Sequence, residues 1–448
     1  MTPAARVAAT IELLDRIAEI ARPADGVVSA FFRGRRYIGS KDRADIAERV
    51  YAVLRHQARL GWWLARLGHS DDGRARVMAS LALIDGRSAA DIAGLFDGGQ
   101  YAPARIDAAE REMLARIDGQ SIDHPEMPDA ARWECPDWAA GPLRAVFGES
   151  TEAEAAALLL PAPLDLRVNE AKATREEVLT ALAQDGIGAE PTPLSPLGIR
   201  VAGRPPLGAH PLFRNGSIEV QDEGSQLVAL LVDARSGQQI VDFCAGAGGK
   251  TLALAARMAG KGRVVACDVS EGRLIRAKER MKRAGIDNVE PKKLTSERDK
   301  WVKRQKGKFD RVLIDAPCSG VGAWRRNPDS RWRPTDIDRL TALQASILSS
   351  AGRLVKPGGL LIYATCSLLP PENEERVAAF LAAHADFEIV PVAEAWAVTI
   401  GGECPSDGPF LLLTPARHGT DGFFAAILRR STPDREEGPE PPRPDPSG

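Results

Sequence analysis

The segment Ile240-Val-Asp-Phe-Cys-Ala-Gly-Ala-Gly-Gly-Lys250 joins a short aliphatic run to a glycine-rich turn. This pattern predicts a buried strand over 240–243 that enters a loop, followed by a helix over 250–259. The same step recurs in strand 264–267 with helix 271–284, and in strands 311–314 and 360–363 with helix 337–355 between them. Strands that alternate with helices indicate an α/β fold with a parallel, doubly wound sheet.

Two cysteines, Cys318 and Cys366, closely follow two of these predicted strands. In an open parallel sheet, the loops beyond the carboxyl ends of the strands line the ligand crevice. Two thiols and a glycine loop at one crevice suggest nucleophilic chemistry beside a bound cofactor. For the buried type of cysteine, inert packing is the expected role, and it suits Cys135, Cys267 and Cys404.

Composition limits the class of protein. The chain has 448 residues, 44% hydrophobic and 27% charged, which is ordinary for soluble globular protein of two or three domains. Its apolar stretches are shorter than the roughly 20 residues that span a bilayer, and its charged N-terminus has no signal-peptide core. Six cysteines without a CxxC pair, and six scattered histidines, predict reduced thiols, a cytoplasmic protein and no metal site.

Charge is unevenly distributed. Residues 257–339 hold 23 Lys and Arg against 12 Asp and Glu, while the whole chain carries −2. Such a basic region is typical of a surface that contacts a phosphate backbone, and it is equally typical of a solvated helix face. Charge alone leaves both interpretations open.

Four regions are predicted along the chain. Residues 1–145 show helical periodicity over 4–21, 46–67, 78–84 and 106–117, with Trp62 and Trp63 expected in the core. Residues 160–218 form a small α+β segment, in which the capping box Thr174–Glu177 opens a helix between strands 164–168 and 198–202. Residues 219–430 form the α/β domain, with a late strand at 421–428 near its antiparallel end, and the proline-rich residues 431–448 form a disordered tail.

The glycine loop excludes two phosphate-binding motifs. A Walker A motif needs glycine at position 244, which is Cys244, and a dinucleotide fingerprint needs glycine at position 251, which is Thr251. Asp268 lies twenty residues beyond Gly248, at the tip of the next strand, where it can accept hydrogen bonds from a ribose. A small-residue loop with a ribose-binding carboxylate suits S-adenosylmethionine, which has no phosphate.

Four motifs now occur in order: Val220-Gln-Asp-Glu-Gly-Ser-Gln226, Cys244-Ala-Gly-Ala-Gly-Gly-Lys-Thr251, Asp315-Ala-Pro-Cys-Ser-Gly320 and Ala364-Thr-Cys-Ser367. Together with His418-Gly-Thr-Asp-Gly-Phe-Phe424, they resemble the RNA cytosine-5 methyltransferases over the whole of 219–430. The stretch Arg325-Arg-Asn-Pro-Asp-Ser-Arg-Trp332 is similar to the RsmB branch, which modifies bacterial 16S ribosomal RNA. That branch implies a NusB-like helical domain at the N-terminus, and Arg167-Val-Asn169 resembles the small RNA-recognition-like domain of the family.

The resemblance implies a Rossmann-like class I methyltransferase sheet and a covalent mechanism on cytosine. The residues alone do not say which thiol attacks. By resemblance, Cys366 attacks C6 and Cys318 assists release of the product. Asp315 is expected to protonate or hydrogen-bond cytosine N3, and Lys250 is expected to hold the base or to stabilise developing charge. The implied S-adenosyl-L-methionine contacts are Cys244, Ala245, Gly246, Ala247, Gly248, Gly249, Lys250, Asp268, Thr295 and Asp315.

The sequence departs from the family in one place. In the family the third strand ends on an acidic residue, whereas here it ends on Leu294 and Thr295. Adenine contacts are therefore expected from Thr295 or a backbone amide.

The predicted partner is RNA, with 16S ribosomal RNA as the first candidate. The protein is expected to be a monomer that binds no membrane and no metal. Residues just past Cys318 are expected to grip the strand that flanks the target base: Trp324, Arg325, Arg326, Arg331 and Trp332. Transfer RNA as substrate, a non-catalytic ribosome-assembly factor and a P-loop hydrolase are the alternatives, the last disfavoured by Cys244.

Overall fold

The computed structural model describes residues 1–20 and 22–432, which form two compact units. The first unit, here called the helical unit, comprises Met1–Ala162, Gly320–Thr335 and Thr414–Gly419. The second, the sheet unit, comprises Pro163–Ser319, Asp336–Leu413 and the described residues from Thr420 onward. Of the predicted tail 431–448, all but the first two residues lie outside the described part. Across the described residues, every helix is too short or too polar to cross a membrane.

The N-terminal part of the helical unit is built from helices around one apolar core, as predicted. Leu13, Ile46 and Leu60 lie at its centre and are fully buried. Trp63 is also buried and Trp62 packs against the same core, so the expectation of core tryptophans is confirmed. The helices are α1 Pro3–Glu19, α2 Ala24–Gly34, α3 Ser40–Arg55, α4 Gln57–Arg66, α5 Gly73–Leu83, α6 Ala89–Leu95, α7 Ala108–Ile117, α8 Asp129–Arg132, α9 Asp137–Phe147 and α10 Thr151–Leu159.

The single helix predicted over 46–67 is in fact two, α3 and α4, which are separated at His56. The buried carboxylate of Glu134 accepts hydrogen bonds from the amides of Ala58 (2.7 Å) and Arg59 (3.0 Å) in the first turn of α4. These amides have no partner within the helix, and a carboxylate there stabilises the new helix start. Burial raises the pKa of Glu134 to about 7.

Residues 320–335 pack inside the helical unit, and this corrects one prediction. Trp324, Arg325 and Arg331 are buried there, with Arg331 only 1% exposed, so they do not form a surface that grips RNA. Arg331 donates to the carbonyl oxygens of Glu134 (2.9 Å) and Leu158 (3.0 Å), and its guanidinium lies 5.0 Å from the Trp324 ring centre. The charge of Arg331 therefore serves packing, while Arg326 and Trp332, the other two residues of that prediction, are half-buried.

The sheet unit begins with a small antiparallel sheet whose strand order is β2-β3-β1-β4. Its strands are β1 Leu164–Val168, β2 Ala189–Pro191, β3 Gly198–Val201 and β4 Ile218–Val220, with helices α11 Arg175–Gln184 and α12 Pro211–Arg214. The predicted capping box is confirmed, because Thr174 and Glu177 exchange hydrogen bonds of 2.8 and 3.2 Å. Apolar side chains of β1, β3 and α11 form a separate small core.

The large sheet confirms the predicted α/β fold class. Its order is β10-β12-β9-β8-β5-β6-β7, with β11 paired to β12. Strands β7, β6, β5, β8 and β9 are parallel, and β12 runs antiparallel to β9, as predicted for the late strand. These strands are β5 Gln239–Asp242, β6 Arg263–Asp268, β7 Val289–Lys293, β8 Phe309–Asp315, β9 Val355–Thr365, β10 Phe387–Val390, β11 Leu411–Leu413 and β12 Phe423–Arg430.

Helices cover this sheet and complete two apolar cores that contain fully buried strand residues such as Val241, Leu313 and Ile362. Parallel strands need apolar cover on both faces, which explains their nearly unbroken aliphatic sequences. The helices are α13 Glu223–Leu230, α14 Gly249–Arg257, α15 Glu271–Ala284, α16 Lys300–Arg304, α17 Ile337–Gly352, α18 Glu374–Ala383 and α19 Val392–Thr399, and a short helix at Pro415–His418 belongs to the helical unit.

Replacing Arg331 by Met should destabilise the helical unit. The substitution keeps an apolar stem but removes the donors for two buried carbonyl groups, and hydrogen bonds from a charged donor contribute about 1.5–3 kcal/mol each. Urea unfolding should therefore show a loss of roughly 3 kcal/mol. Arg333→Ala is the control: this arginine is exposed and pairs with Asp329 four residues away, a type of pair worth at most about 1 kcal/mol. Equal losses for the two variants would contradict a structural role for Arg331.

Candidate active site

The candidate site lies where four neighbouring parallel strands end. In the order β9-β8-β5-β6, Cys366 follows β9, Cys318 follows β8, the glycine loop follows β5 and Asp268 ends β6. The chain reverses its direction of strand addition between β5 and β8, since β6 and β7 lie on one side and β9 on the other. Ligands of open α/β sheets bind at such a switch point, so the topology brings the predicted residues to one crevice.

The two predicted thiols meet. Their Sγ atoms are 3.4 Å apart, and both side chains are partly exposed. Burial raises the pKa of Cys135 to about 12, and it also raises the pKa of Cys244 and of Cys267. Since only thiolates attack carbon, these three thiols are poor nucleophiles. The pair Cys318 and Cys366 is thus the reactive candidate.

Lys250 and Asp315 form an ion pair across the switch point, with Nζ and Oδ2 2.8 Å apart. Lys250 is the second residue of α14 and is 7% exposed, while Asp315 is the last residue of β8. The ammonium group also lies 5.3 Å from the centre of the Phe423 ring, which stabilises a cation at this position. The acceptor Asp315 therefore stands three residues before Cys318, and the donor Lys250 is held beside it.

The glycine loop is held by its neighbours. Gly248 has φ +81°, and a Cβ there would lie 3.0 Å from the Cβ of Ala277, so a side chain is disfavoured by conformation and by space. Arg280 donates to the carbonyl oxygen of Ala247 (3.0 Å), and Arg167 donates to that of Gly249 (2.7 Å). Ala245 donates to the carbonyl oxygen of Cys267 at 2.8 Å. The loop is therefore fixed from both sides with its backbone close to the crevice.

Two carboxylates lie beneath this loop. Asp268 accepts from the amides of Gly246 (2.9 Å) and Ser270 (2.7 Å). Asp242 is 1% exposed and accepts from the hydroxyl of Thr251 through Oδ2 (2.7 Å), while its Oδ1 has no hydrogen-bond partner among the described residues. Burial, together with the nearby charge of Asp315, raises the pKa of Asp242 to about 7. An unsatisfied buried oxygen suits a ligand that donates hydrogen bonds, such as the ammonium and ribose hydroxyls of S-adenosylmethionine.

Thr295 lies beyond the end of β7, two residues after Lys293. Its hydroxyl donates to Asp299 at 2.8 Å and its amide donates to the same carboxylate at 2.9 Å. Hydrogen bonds from the amides of Trp301 and Thr295 lower the pKa of Asp299 to about 2. The neighbouring Leu294 donates its amide to the carbonyl oxygen of Asp268 at 3.0 Å. The described residues hold no group of three or more His, Cys, Asp or Glu that could bind a metal ion.

Sequence reasoning missed Glu372, which joins the two cysteine loops. Glu372 is fully buried and accepts hydrogen bonds from Ser319, next to Cys318, and from Ser367, next to Cys366. The sequence feature that could have indicated this link is the serine that follows the cysteine in both motifs. The buried acceptor itself stands in Pro370–Glu372, a short 3-10 helix that begins three residues after Ser367 and carries no pattern of its own.

Comparison with known proteins covers most of the chain. A family profile described as "16S rRNA methyltransferase RsmB/F" matches residues 229–429. A second profile, described as the ferredoxin-like domain of RsmF/B-like methyltransferases, matches residues 135–207. The second match includes α11 and the strands β1, β2 and β3 of the small sheet.

Two curated relatives are similar over long stretches. The "Probable ribosomal RNA small subunit methyltransferase B" of Bacillus subtilis (strain 168) is 34% identical over 328 residues, 72% of each chain. The "Ribosomal RNA small subunit methyltransferase B" of Photorhabdus laumondii subsp. laumondii is 38% identical over 270 residues, 60% of each chain. Among solved structures, the crystal structure of PH0851 is 27% identical with a TM-score of 0.77, covering 96% of this chain and 99% of that one.

Replacing Asp242 by Asn should change how stability depends on pH. The folded pKa of Asp242 is raised from 3.8 to about 7, so the folded state holds a proton that the unfolded chain releases above its ordinary pKa. The free energy of unfolding therefore falls between pH 4 and 7, by up to about 1.4 kcal/mol per pH unit from this group. Asparagine cannot ionise and should remove that slope.

The measurement is chemical unfolding of wild type and variant at several pH values in the absence of ligand. The stability of Asp242→Asn relative to wild type should rise steadily from pH 4 to pH 7 and then stay constant. Its affinity for S-adenosylmethionine, measured by calorimetry, should fall. Parallel stability curves for the two proteins would show that Asp242 is not protonated in the folded state.

Proposed function

Because the chain belongs to the RsmB/F family of 16S rRNA methyltransferases, whose cofactor is S-adenosyl-L-methionine, we propose that it methylates C5 of a cytosine in 16S ribosomal RNA. The observation that carries this proposal is the pair of thiols, Cys318 and Cys366, 3.4 Å apart beside the glycine loop. A methyltransferase that acts on an oxygen or an exocyclic nitrogen has no use for two adjacent thiols. Methylation of cytosine C5 uses both thiols, because a nucleophile must first activate the ring and must later be released from it.

The chemistry divides between the two thiols. The Cys366 thiolate donates an electron pair to cytosine C6, and the C5–C6 π electrons move toward C5, which makes that carbon nucleophilic. Asp315, paired with Lys250, hydrogen-bonds or protonates N3 as charge develops on the ring. After C5 has gained its methyl group, Cys318, as a thiolate, takes the proton from C5, the π bond reforms, Cys366 leaves C6 as a thiolate, and any proton gained at N3 returns to Asp315. Each thiol returns to its starting state after proton exchange with solvent.

The cofactor side of the crevice is assigned to the loop 244–250, with Asp268 at its ribose end and Asp242 beneath it. These residues combine close backbone approach, at Gly246 and Gly248, with two buried carboxylates. When bound, S-adenosylmethionine supplies the methyl group that C5 accepts. The chain's own contribution is to orient that group and to keep the thiols beside it.

The substrate is proposed from the relatives and from the chemistry. The names of both curated relatives specify ribosomal RNA of the small subunit, which favours 16S ribosomal RNA over transfer RNA. The target base must leave its stack to reach Cys366, so an unpaired or opened segment is expected. We also propose that residues 1–145 form a NusB-like RNA-binding domain and that the protein acts in the cytoplasm as a monomer.

Replacing the two thiols one at a time should separate their roles. Cys366→Ala should abolish methylation, a loss of more than 1,000-fold, because no adduct forms. Cys318→Ala should methylate once and then remain attached to the RNA, since the C5 proton is not removed. Radiolabelled methyl transfer and denaturing gels measure turnover and adduct, with 16S ribosomal RNA and transfer RNA as substrates.

Cys404→Ala is the matched control, because Cys404 is a partly buried thiol packed against an apolar core. It should retain wild-type turnover. Full turnover by Cys366→Ala would overturn the role assignment, and methylation of transfer RNA alone would replace the proposed substrate. Binding of RNA without any methyl transfer by wild type would favour the assembly-factor alternative.

A further inference from the structure

We propose that Glu372 is a positioning residue that holds the two cysteine loops together and so sets the distance between the attacking and releasing thiols. The inference rests on the proposed function for the roles of the thiols. The geometric part, that Glu372 fixes the sulfur–sulfur distance, stands on contacts within the sheet unit.

The carboxylate of Glu372 accepts four hydrogen bonds. Its Oε1 accepts from the amide of Ser319 (2.8 Å) and from Nε2 of Gln344 (3.0 Å). Its Oε2 accepts from the hydroxyls of Ser319 and Ser367, both at 2.5 Å. The two hydroxyl oxygens are themselves 3.3 Å apart. A fully buried carboxylate is tolerated only when its oxygens are bonded in this way.

Each loop is bonded to Glu372 directly beside its cysteine. Ser319 follows Cys318 and Ser367 follows Cys366, so the carboxylate is bonded to each loop one residue away from its cysteine. Gln344 tightens the first loop, because its Nε2 also donates to the carbonyl oxygen of Pro317 at 2.9 Å.

The neighbouring Asn373 tightens the second loop. Its side chain accepts from the hydroxyl of Thr365 (2.6 Å) and donates to the carbonyl oxygen of Ser367 (3.0 Å). Both residues that flank Cys366 are therefore held by the segment that carries Glu372. The last paired residues of β8 and β9 are Asp315 and Ala364, and beyond them these side-chain contacts link the two cysteine loops.

This arrangement matters because the two thiols act on adjacent carbons of one ring. Cys366 must reach C6 and Cys318 must reach the proton at C5 in the same adduct. Misplacement of a reacting group by about 1 Å can cost about 100-fold in rate. Carboxylate hydrogen bonds are short and directional, and four of them on one group restrict both loops at once.

The first test needs neither RNA nor cofactor. Diamide oxidises two nearby thiols to a disulfide, taking up two electrons and two protons to become a hydrazine. The rate at which the Cys318–Cys366 disulfide forms, followed by mass spectrometry of the linking peptides, reports how closely the sulfurs are held. Glu372→Ala should slow this rate at least 10-fold, and Glu372→Gln, which keeps the shape and part of the hydrogen bonding, should restore much of it.

Glu223→Gln is the matched control for loss of a buried carboxylate. Glu223 is fully buried in the same unit and accepts from the amides of Leu194 (2.6 Å) and Ser195 (2.8 Å). It should lower the melting temperature and leave the cross-linking rate unchanged. If Glu372→Ala does not fold, the double variant Ser319→Ala with Ser367→Ala breaks the same link while the carboxylate stays, and it should slow cross-linking at least 5-fold.

The second test uses turnover on RNA. Glu372→Ala should lower kcat, leave KM within twofold and raise the fraction of protein found as covalent adduct, because release depends on Cys318 being in place. Folded Glu372→Ala that cross-links within twofold of the wild-type rate would overturn the proposal. An inactive wild type would instead overturn the proposed function, and the cross-linking rate would still decide whether Glu372 positions the thiols.

Discussion

The parallel pairing of β8 with β5 on one side and β9 on the other is the constraint on which the site depends. In this register Asp242 lies opposite Leu313, and Asp315 lies opposite Ala364, so three strands end at the same edge. Side chains alternate across a strand, and a slip of one residue would take Leu313 out of the apolar core in which it packs. Apolar burial on both faces thus fixes the register, and the register brings the loops that carry the chemistry to one crevice.

Three buried charged groups show how hydrogen-bond partners distinguish a structural role from a ligand-binding role. Arg331 finds two carbonyl oxygens and a tryptophan ring inside the helical unit, and its charge is fully used there. Glu372 receives four donors, which suits a role in holding loops. Asp242 keeps one oxygen without a partner among the described residues. Only the last of the three is a buried acceptor that a ligand would complete, since unsatisfied buried oxygens are rare unless something binds them.

Much of the fold was predictable because its signals are local. Aliphatic runs ending in glycine or cysteine located β5, β6, β8 and β9, and the pair Thr174 and Glu177 located the start of α11. Residues whose roles depend on distant partners were not predictable. Arg331 stands in a basic stretch that resembles a surface, and its burial depends on Glu134 and Leu158, about 200 residues and 170 residues away in sequence. Glu372 was missed because no local pattern marks a carboxylate that will be buried.

The end of β8 is the part of the site where the cofactor side and the nucleophile side connect. Asp315 reaches across the switch point to Lys250 at the start of α14, and Cys318, three residues later, reaches Cys366 on the loop after β9. A single short loop thus spans both neighbours of β8, so a shift in it changes the base contact and the thiol distance together. This coupling explains why the loop needs more anchors than one strand end supplies. Glu372, Gln344 and the buried strand residues all anchor this loop. The reaction requires the loop to keep its position.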